Sequence, residues 1–361
     1  MKQLLKLQVK VFVLAAILLL SIASTLSAQK IAIIDAGSSG SRLYVYEINK
    51  DKNINVLYPS PTDPTEEANS KGRALSSVAN HADSVKAYLI TMTSKYKKVN
   101  MKETIPLYIL ATAGMRLVPE DRANSMYYMM KSQANKLNGY TLEKAMTISG
   151  RYEGFYAWIA ANYKNGKLGF STSTTEKPLT YTGTPFGILE IGGASMQIAF
   201  AVNQPCEGSI SRKGFDNIYS KSYLGAGVDQ VYKTNKDRDI TKSNFNVVLD
   251  DVSHLYGSDL KFYGLGKPIK IVIEGAQKKG VAVKNYASTL TNNDSQNKYH
   301  PWMNARYIAY VVDFLKLGNR LILTNNESDW TEGAALDIIV NGKKDPEEYN
   351  YKTCLLYTSP S

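Results

Sequence analysis

One short pattern occurs twice in this chain. IAIIDAGSSGSRLYVYEI (31–48) is an apolar strand that ends on Asp35, a loop of Gly and Ser, and a second apolar strand. GILEIGGASMQIAF (187–200) repeats it with GGAS as the loop, and Glu190 stands 155 positions after Asp35 (190 − 35). Strand, small-residue loop, strand spells a hairpin, because Gly accepts the positive φ that tight turns demand. A single hairpin of this kind is an ordinary turn. Two of them at this separation predict two similar domains. Facing each other, they would line a cleft whose walls carry backbone amides, and such amides bind anions. A carboxylate next to a phosphate is repelled unless a divalent cation lies between them. Asp35 and Glu190 are therefore expected to hold Mg²⁺ or Ca²⁺, directly or through water. The first loop is not a Walker A loop, since no Lys-Ser/Thr follows it and a strand comes next.

The segments between the hairpins alternate strand and helix, which predicts an α/β fold. LYILA (107–111) is a strand that enters a helix through Thr112 and Gly114. Met126, Tyr127 and Met130 then recur at helical spacing and read as core. Thr112 would offer a hydroxyl to phosphate, and Arg116 reads first as an ion-pair partner and second as a phosphate ligand. Phe155, Trp158, Ile159 and Asn162 predict a helix with one apolar face. Glu153 in its first turn suits the helix dipole, or serves as a general base where the chain crosses between the domains. SYLGAG (222–227) is a turn that would line the cleft, and KPIKIVIEGAQKKG (267–280) reads as a strand and a turn. A helix is expected to start near Trp330. His81, His254 and His300 are scattered, no zinc spacing occurs, and there is no Gly-x-Ser-x-Gly elbow.

Lys2, Lys6 and Lys10, an apolar run at 11–24 and small residues at 26–28 read as a secretory signal cut after Ala28. An uncleaved N-terminal anchor is the alternative. Either places the body outside the cytoplasm, secreted or periplasmic, and no stable membrane span is expected after cleavage. The net charge of +11 falls to +8 when those three lysines leave. That hints at anionic substrates, yet no dense basic run interleaved with aromatics marks a nucleic-acid partner. Two cysteines make no disulfide framework. CLLYTSPS (354–361) breaks from what precedes it and resembles translated adapter sequence, which would leave Cys206 as the one genuine cysteine; a natural tail is the alternative.

Five blocks in order, IDAGSSGSR, ATAGMR, YEGFYAWIAANY, EIGGASMQI and DWTEGAAL, resemble the apyrases, the nucleoside triphosphate diphosphohydrolase family, over residues 34–336. The resemblance implies two RNase-H-like domains of the actin/sugar-kinase superfamily with the site between them. It divides the chain at 29–148 plus 325–348 for the first domain and 149–324 for the second. It implies hydrolysis of nucleoside tri- and diphosphates to the monophosphate with Ca²⁺ or Mg²⁺. By position, Asp35 and Glu190 would hold the metal through water. Gly37, Ser38, Ser39 and Gly40 would bind phosphate, as would Gly192, Gly193, Ala194 and Ser195. Thr112 would sit near the terminal phosphate, Glu153 would activate water, and Ser195 and Gln197 would position it. The chain departs from the family pattern in having Glu190 where Asp is usual and Glu332 where an apolar residue is expected. Rival expectations are an exopolyphosphatase or guanosine-pentaphosphate phosphatase of the same superfamily, and a non-catalytic nucleotide-binding protein.

Overall fold

The computed structural model describes residues 29–49, 53–96, 104–171, 178–212, 214–235, 245–290, 301–324, 326, 328–340 and 347–350. The expected signal (1–28) and the odd tail (354–361) lie outside the described residues. Two six-stranded sheets organise the chain. The first holds β1 (Gln29–Ala36), β2 (Ser41–Ile48), β3 (Ile54–Tyr58), β4 (Lys71–Gly72), β5 (Ile105–Ala111) and β6 (Tyr140–Thr147). Its order is β3-β2-β1-β5-β6, with β4 on β2. β1 to β3 are antiparallel, and β5 and β6 run parallel to β1. Helices α1 (Ala82–Thr93), α2 (Ala113–Arg116) and α3 (Glu120–Gln133) belong to this half, and α4 (Gly150–Lys164) follows β6.

A short ribbon, β7 (Leu168–Phe170) and β8 (Leu179–Tyr181), leads to the second sheet. That sheet holds β9 (Gly187–Ile191), β10 (Ser195–Ala201), β11 (Ser209–Arg212), β12 (Phe215–Leu224), β13 (Phe262–Leu265) and β14 (Leu321–Ile322). Its order, β11-β12-β10-β9-β13-β14, repeats the first plan of an antiparallel meander followed by two parallel strands. Both predicted hairpins are present, as β1–β2 and β9–β10. Helices α5 (Val228–Asn235), α6 (Lys267–Lys278) and α7 (Pro301–Phe314) accompany this sheet, and α8 (Trp330–Val340) ends the described helices.

The segment 267–280 is thus a helix, not a strand. Its β-branched run KIVIE imitates a strand, but Ile269, Val272, Ile273 and Ala276 are the buried positions, the i, i+3, i+4, i+7 spacing of a helix face. Pro268 in its first turn, after Gly266 at φ 87°, marks the start. The helix α4 also differs from expectation. It is buried nearly all round from Glu153 to Asn162, as befits a helix in a core.

Strand parity explains where α4 lies. Side chains alternate between the two faces of a strand. From β1, Ile31 and Ile33 enter one apolar cluster with Tyr44 and Tyr46 of β2, while Ala32 and Ile34 enter another with α1 and α3. From the second sheet, Ile188, Ala199 and Ile218 join the first cluster, while Leu189, Ile198 and Phe200 pack towards α6 and α7. The shared cluster is built on α4 and α8, so these two helices form a central layer against the inner faces of both sheets. Phe155, Tyr156 and Trp158 are fully buried there, each worth roughly 1.5–3 kcal/mol or more of apolar burial. Gly333 of α8 lies so close to α4 that a methyl group on it would overlap the Tyr156 carbonyl. Residues 347–350 return to the end of β6, where Ser149 N–H donates to Glu347 O at 2.8 Å.

Candidate active site

The same parity selects the polar residues of the site. Asp35 is in phase with Ile31 and Ile33, and Arg42 with Tyr44 and Tyr46. Glu190 is in phase with Ile188, and Ser195 and Gln197 with Ala199. Ser222 is in phase with Ile218. All of them stand at the ends of strands beside the hairpin loops and face the central layer. Register confirms the pairing, with Asp35 opposite Arg42, Glu190 opposite Gln197, and Gln197 opposite Ser222.

Each loop turns its amides outward. In the second loop Gly192 O accepts from Val228 N–H at 3.0 Å, Gly193 O from Asp229 N–H at 2.9 Å, and Ala194 O from Gly225 N–H at 2.8 Å. With the carbonyls held by the SYLGAG turn and α5, the amides of Gly193 and Ala194 donate to no acceptor among the described residues. The amides of Ser38, Ser39 and Gly40 are equally uncommitted. The two loops approach one another. A Cβ on Gly193 would lie 3.1 Å from Ser38 Oγ and 2.6 Å from Asp229 Oδ2, and a Cβ on Gly114 would lie 2.6 Å from Ser38 Cα. Only a backbone without side chains fits at those two positions.

Glu153 sits in the first turn of α4, which Ser149 caps through Tyr152 N–H at 3.3 Å. Its Oε2 receives Arg116 Nη2 at 2.5 Å and Gln197 Nε2 at 3.2 Å. Gln197 also donates to Ser195 Oγ at 2.7 Å and Ser222 Oγ at 3.2 Å. Arg116 is held in turn through Nε, which donates to Ile148 O at 3.1 Å. Both donors to Glu153 choose the same oxygen, so Oε1 accepts no hydrogen bond among the described residues. Thr112 follows β5 at the base of the first loop, and its carbonyl accepts from Met115 and Arg116 N–H. Thr112 and Ser39 make no side-chain hydrogen bond to the other site residues among those described.

The acids are short of positive charge. Asp35 Oδ1 and Glu190 Oε2 are buried and accept no hydrogen bond. Burial pushes the Asp35 carboxyl well above its ordinary range, and Asp329 and Glu153 push further in the same direction. Burial does the same to Glu190, with Glu153, Asp329 and Asp35 adding to it. Of the two nearby guanidiniums, Arg116 is committed to Glu153 and Arg42 donates to Tyr44 OH at 3.0 Å. Orphaned buried carboxylate oxygens of this kind fit a hard divalent cation. Among the described residues no three His, Cys, Asp or Glu side chains converge closely enough to ligate an ion directly.

The family profile of GDA1/CD39 (nucleoside phosphatase) matches residues 24–264. The chain belongs to the GDA1/CD39 family. Ectonucleoside triphosphate diphosphohydrolase 1 of Rattus norvegicus is 30% identical over 258 residues, covering 63% of this chain and 48% of that protein. Nucleoside-diphosphatase mig-23 of Caenorhabditis elegans is 27% identical over 248 residues, 61% of this chain and 44% of that protein. The chain thus spans about half the length of the curated relatives it matches. A nucleoside triphosphate hydrolase from Neospora caninum superposes over 97% of this chain and 99% of its own, with TM-score 0.57 and 12% identity. The Ppx/GppA family member of Aquifex aeolicus does so over 88% and 100%, with TM-score 0.54 and 14% identity. These show the fold expected from the sequence, α/β with two sheet-containing halves.

Within that GDA1/CD39 frame, sequence reasoning missed Asp329, Tyr44 and Arg42. Tyr44 OH donates to Asp329 Oδ2 at 2.7 Å, and Thr331 N–H and Oγ1 donate to Asp329 Oδ1 at 2.9 and 2.7 Å. A signal for Asp329 existed. An Asp two residues before Thr331, at the start of an apolar helix, reads as a cap. Nothing in the sequence, however, brings it beside Asp35. Glu332, the departure noted above, is buried in α8 and ion-paired with Lys164 of α4 at 3.1 Å; it belongs to the central layer, not to the cleft.

Proposed function

We propose that this GDA1/CD39 chain is an exported nucleoside triphosphate diphosphohydrolase that removes terminal phosphates from nucleoside tri- and diphosphates. The cleft would lie between a first half (29–148 with 325–348) and a second (149–324). The observation that carries the reading is Glu153, fixed through Oε2 and open at Oε1, between two loops in which the amides of Ser38, Ser39, Gly40, Gly193 and Ala194 donate to no acceptor among the described residues. The family relatives named as di- and triphosphate hydrolases support the substrate class.

The amides of Gly37–Gly40, Gly193 and Ala194, with the hydroxyls of Ser38, Ser39 and Thr112, would hold the phosphates, whereas the Gly192 amide expected among them donates to Ser195 O at 3.0 Å. A water on Glu153 Oε1 would be oriented further by Ser195 and Gln197. As its oxygen bonds to the terminal phosphorus, the P–O bond to the leaving phosphate breaks and Glu153 takes the proton. Inorganic phosphate and a shortened nucleotide leave. Ca²⁺ or Mg²⁺, held through water by Asp35 and Glu190, would neutralise charge on the phosphates. Fixed dipoles and positioned water suffice for this chemistry, and no covalent intermediate is required.

The test is phosphate release from ATP, ADP, AMP and polyphosphate with Ca²⁺, Mg²⁺ or EDTA. Metal-dependent release from ATP and ADP, with AMP untouched, is expected. Release from polyphosphate alone moves the chain to the exopolyphosphatase reading, and no release from a folded protein leaves nucleotide binding. Glu153→Gln should lower turnover about 10²–10⁴-fold while nucleotide binding persists.

A further inference from the structure

Three consecutive residues at the start of α8 dock onto the inner face of the first hairpin. Asp329 receives Tyr44 OH at 2.7 Å, Trp330 is buried in the same apolar cluster as Tyr44 and Tyr46, and Thr331 Oγ1 lies 2.6 Å from Tyr46 OH. Tyr44 and Tyr46 are stacked, 6.0 Å apart at 7°, so both hydroxyls are aimed by one rigid pair. Asp329 is thereby locked on the inner face, on the hydroxyl that Arg42, the register partner of Asp35, also holds. Capping α8 needs only one of its oxygens, the one that Thr331 N–H and Oγ1 already occupy. Among the described residues the second oxygen is held by Tyr44 alone, which leaves it a lone pair.

A carboxylate fixed on the same inner face as buried, orphaned carboxylate oxygens is unfavourable unless positive charge joins them. Asp35 Oδ1 and Glu190 Oε2 are those oxygens. Arg42, the register partner of Asp35, donates to the same Tyr44 hydroxyl that donates to Asp329, which sets the Asp329 carboxylate on the inner face at the end of β1. We infer that Asp329, oriented by Tyr44, is a third acidic residue of the cation site, acting on the ion through water and through its charge. The inference rests on the proposed function only for the cation. It assigns to α8 a share in a site otherwise built from the two hairpins. Asp329 is a positioning residue here, since it touches neither phosphate nor attacking water.

The prediction has two opposed signs, which a purely structural cap would not give. Asn caps helices as well as Asp does, so Asp329→Asn keeps the fold and removes one charge. Without cation, repulsion among the carboxylates falls and the melting temperature should rise. With cation, the concentration of Ca²⁺ that gives half the thermal stabilisation should rise about 10- to 100-fold, as for other groups that support a metal through its neighbours. Tyr44→Phe, which frees one Asp329 oxygen, should shift the midpoint in the same direction by less.

The measurement is thermal unfolding of the full chain and both variants against Ca²⁺, alone and with a non-hydrolysable ATP analogue, after EDTA treatment. A raised metal-free melting temperature with a weakened Ca²⁺ midpoint supports the assignment. A lowered metal-free melting temperature with unchanged midpoints in both variants overturns it and makes Asp329 a cap alone. A parent protein unmoved by Ca²⁺ in either condition overturns the assignment together with the cation. Phosphate release measured in parallel shows whether hydrolysis falls with them.

Discussion

Replacing Arg116 by Met gives the most direct test of how the site is held. The guanidinium and the Glu153 carboxylate keep only 2% and 10% of their side-chain surface. Met fills most of the volume and leaves the carboxylate with a single neutral donor, Gln197 Nε2 at 3.2 Å. Breaking a buried pair by removing one partner costs about 3–5 kcal/mol, because the other charge stays buried. The surviving amide donor places Arg116→Met towards the lower end. At about 2–4 °C per kcal/mol, the melting temperature should fall by roughly 6–20 °C. Glu153→Gln costs less, since Arg116 still reaches an amide oxygen and Ile148 O. The double variant should recover most of the loss, with a coupling of about 1–3 kcal/mol in a urea-unfolding cycle. A loss under about 1 kcal/mol for Arg116→Met, with additive single effects, would refute the view that this pair is desolvated and interdependent.

Burial raises the Glu332 carboxyl from 4.5 to about 7, with Lys164 pulling it back and Asp329 pushing it up. A folded-state value above the unfolded one contributes stability that is complete below about pH 4.5 and lost as pH rises through 7. Glu332→Gln should therefore gain on the parent by up to about 3 kcal/mol between pH 5 and 8.5, and a difference that ignores pH would contradict this. Gly333→Ala must push α4 and α8 apart to clear the Tyr156 carbonyl, so a loss of several kcal/mol is expected from denaturant unfolding, and near-neutral behaviour would show that the helices separate easily.

Both hairpins, the α/β class and the helix at Trp330 were legible because each is a local pattern: apolar runs, an acid, small residues, a cap. The acids at 35 and 190 were legible for the same reason, since each closes an apolar run; Ser195 and Gln197 came only from the family resemblance, and it is the strand register that sets them on the same inner face. Lys267–Lys278 was misread because three consecutive β-branched residues, Ile271, Val272 and Ile273, stand at its centre between Lys270 and Glu274, and the period-3.6 burial shows only over the whole segment. Asp329 was invisible as a site residue because its neighbour Asp35 is almost the whole chain away. The same distance hides Tyr44 and Tyr46 as supports, since in sequence they are only apolar strand residues. Arg116 was read as an ion-pair partner from its type alone, but which acid it pairs with depends on how β5 and β6 bring α2 to the start of α4.

The central layer has a consequence for synthesis. The inner face of the first hairpin stays uncovered until α8 arrives, and its bond from Tyr46 to Thr331 spans 285 residues. A ribosome adding about 5–20 residues per second leaves that face waiting some 15–60 seconds. Through that interval the hydroxyls of Tyr44 and Tyr46 lack their partners Asp329 and Thr331, and the inner face of the first hairpin stays open. Translation must therefore pass residue 340 before the central layer is complete.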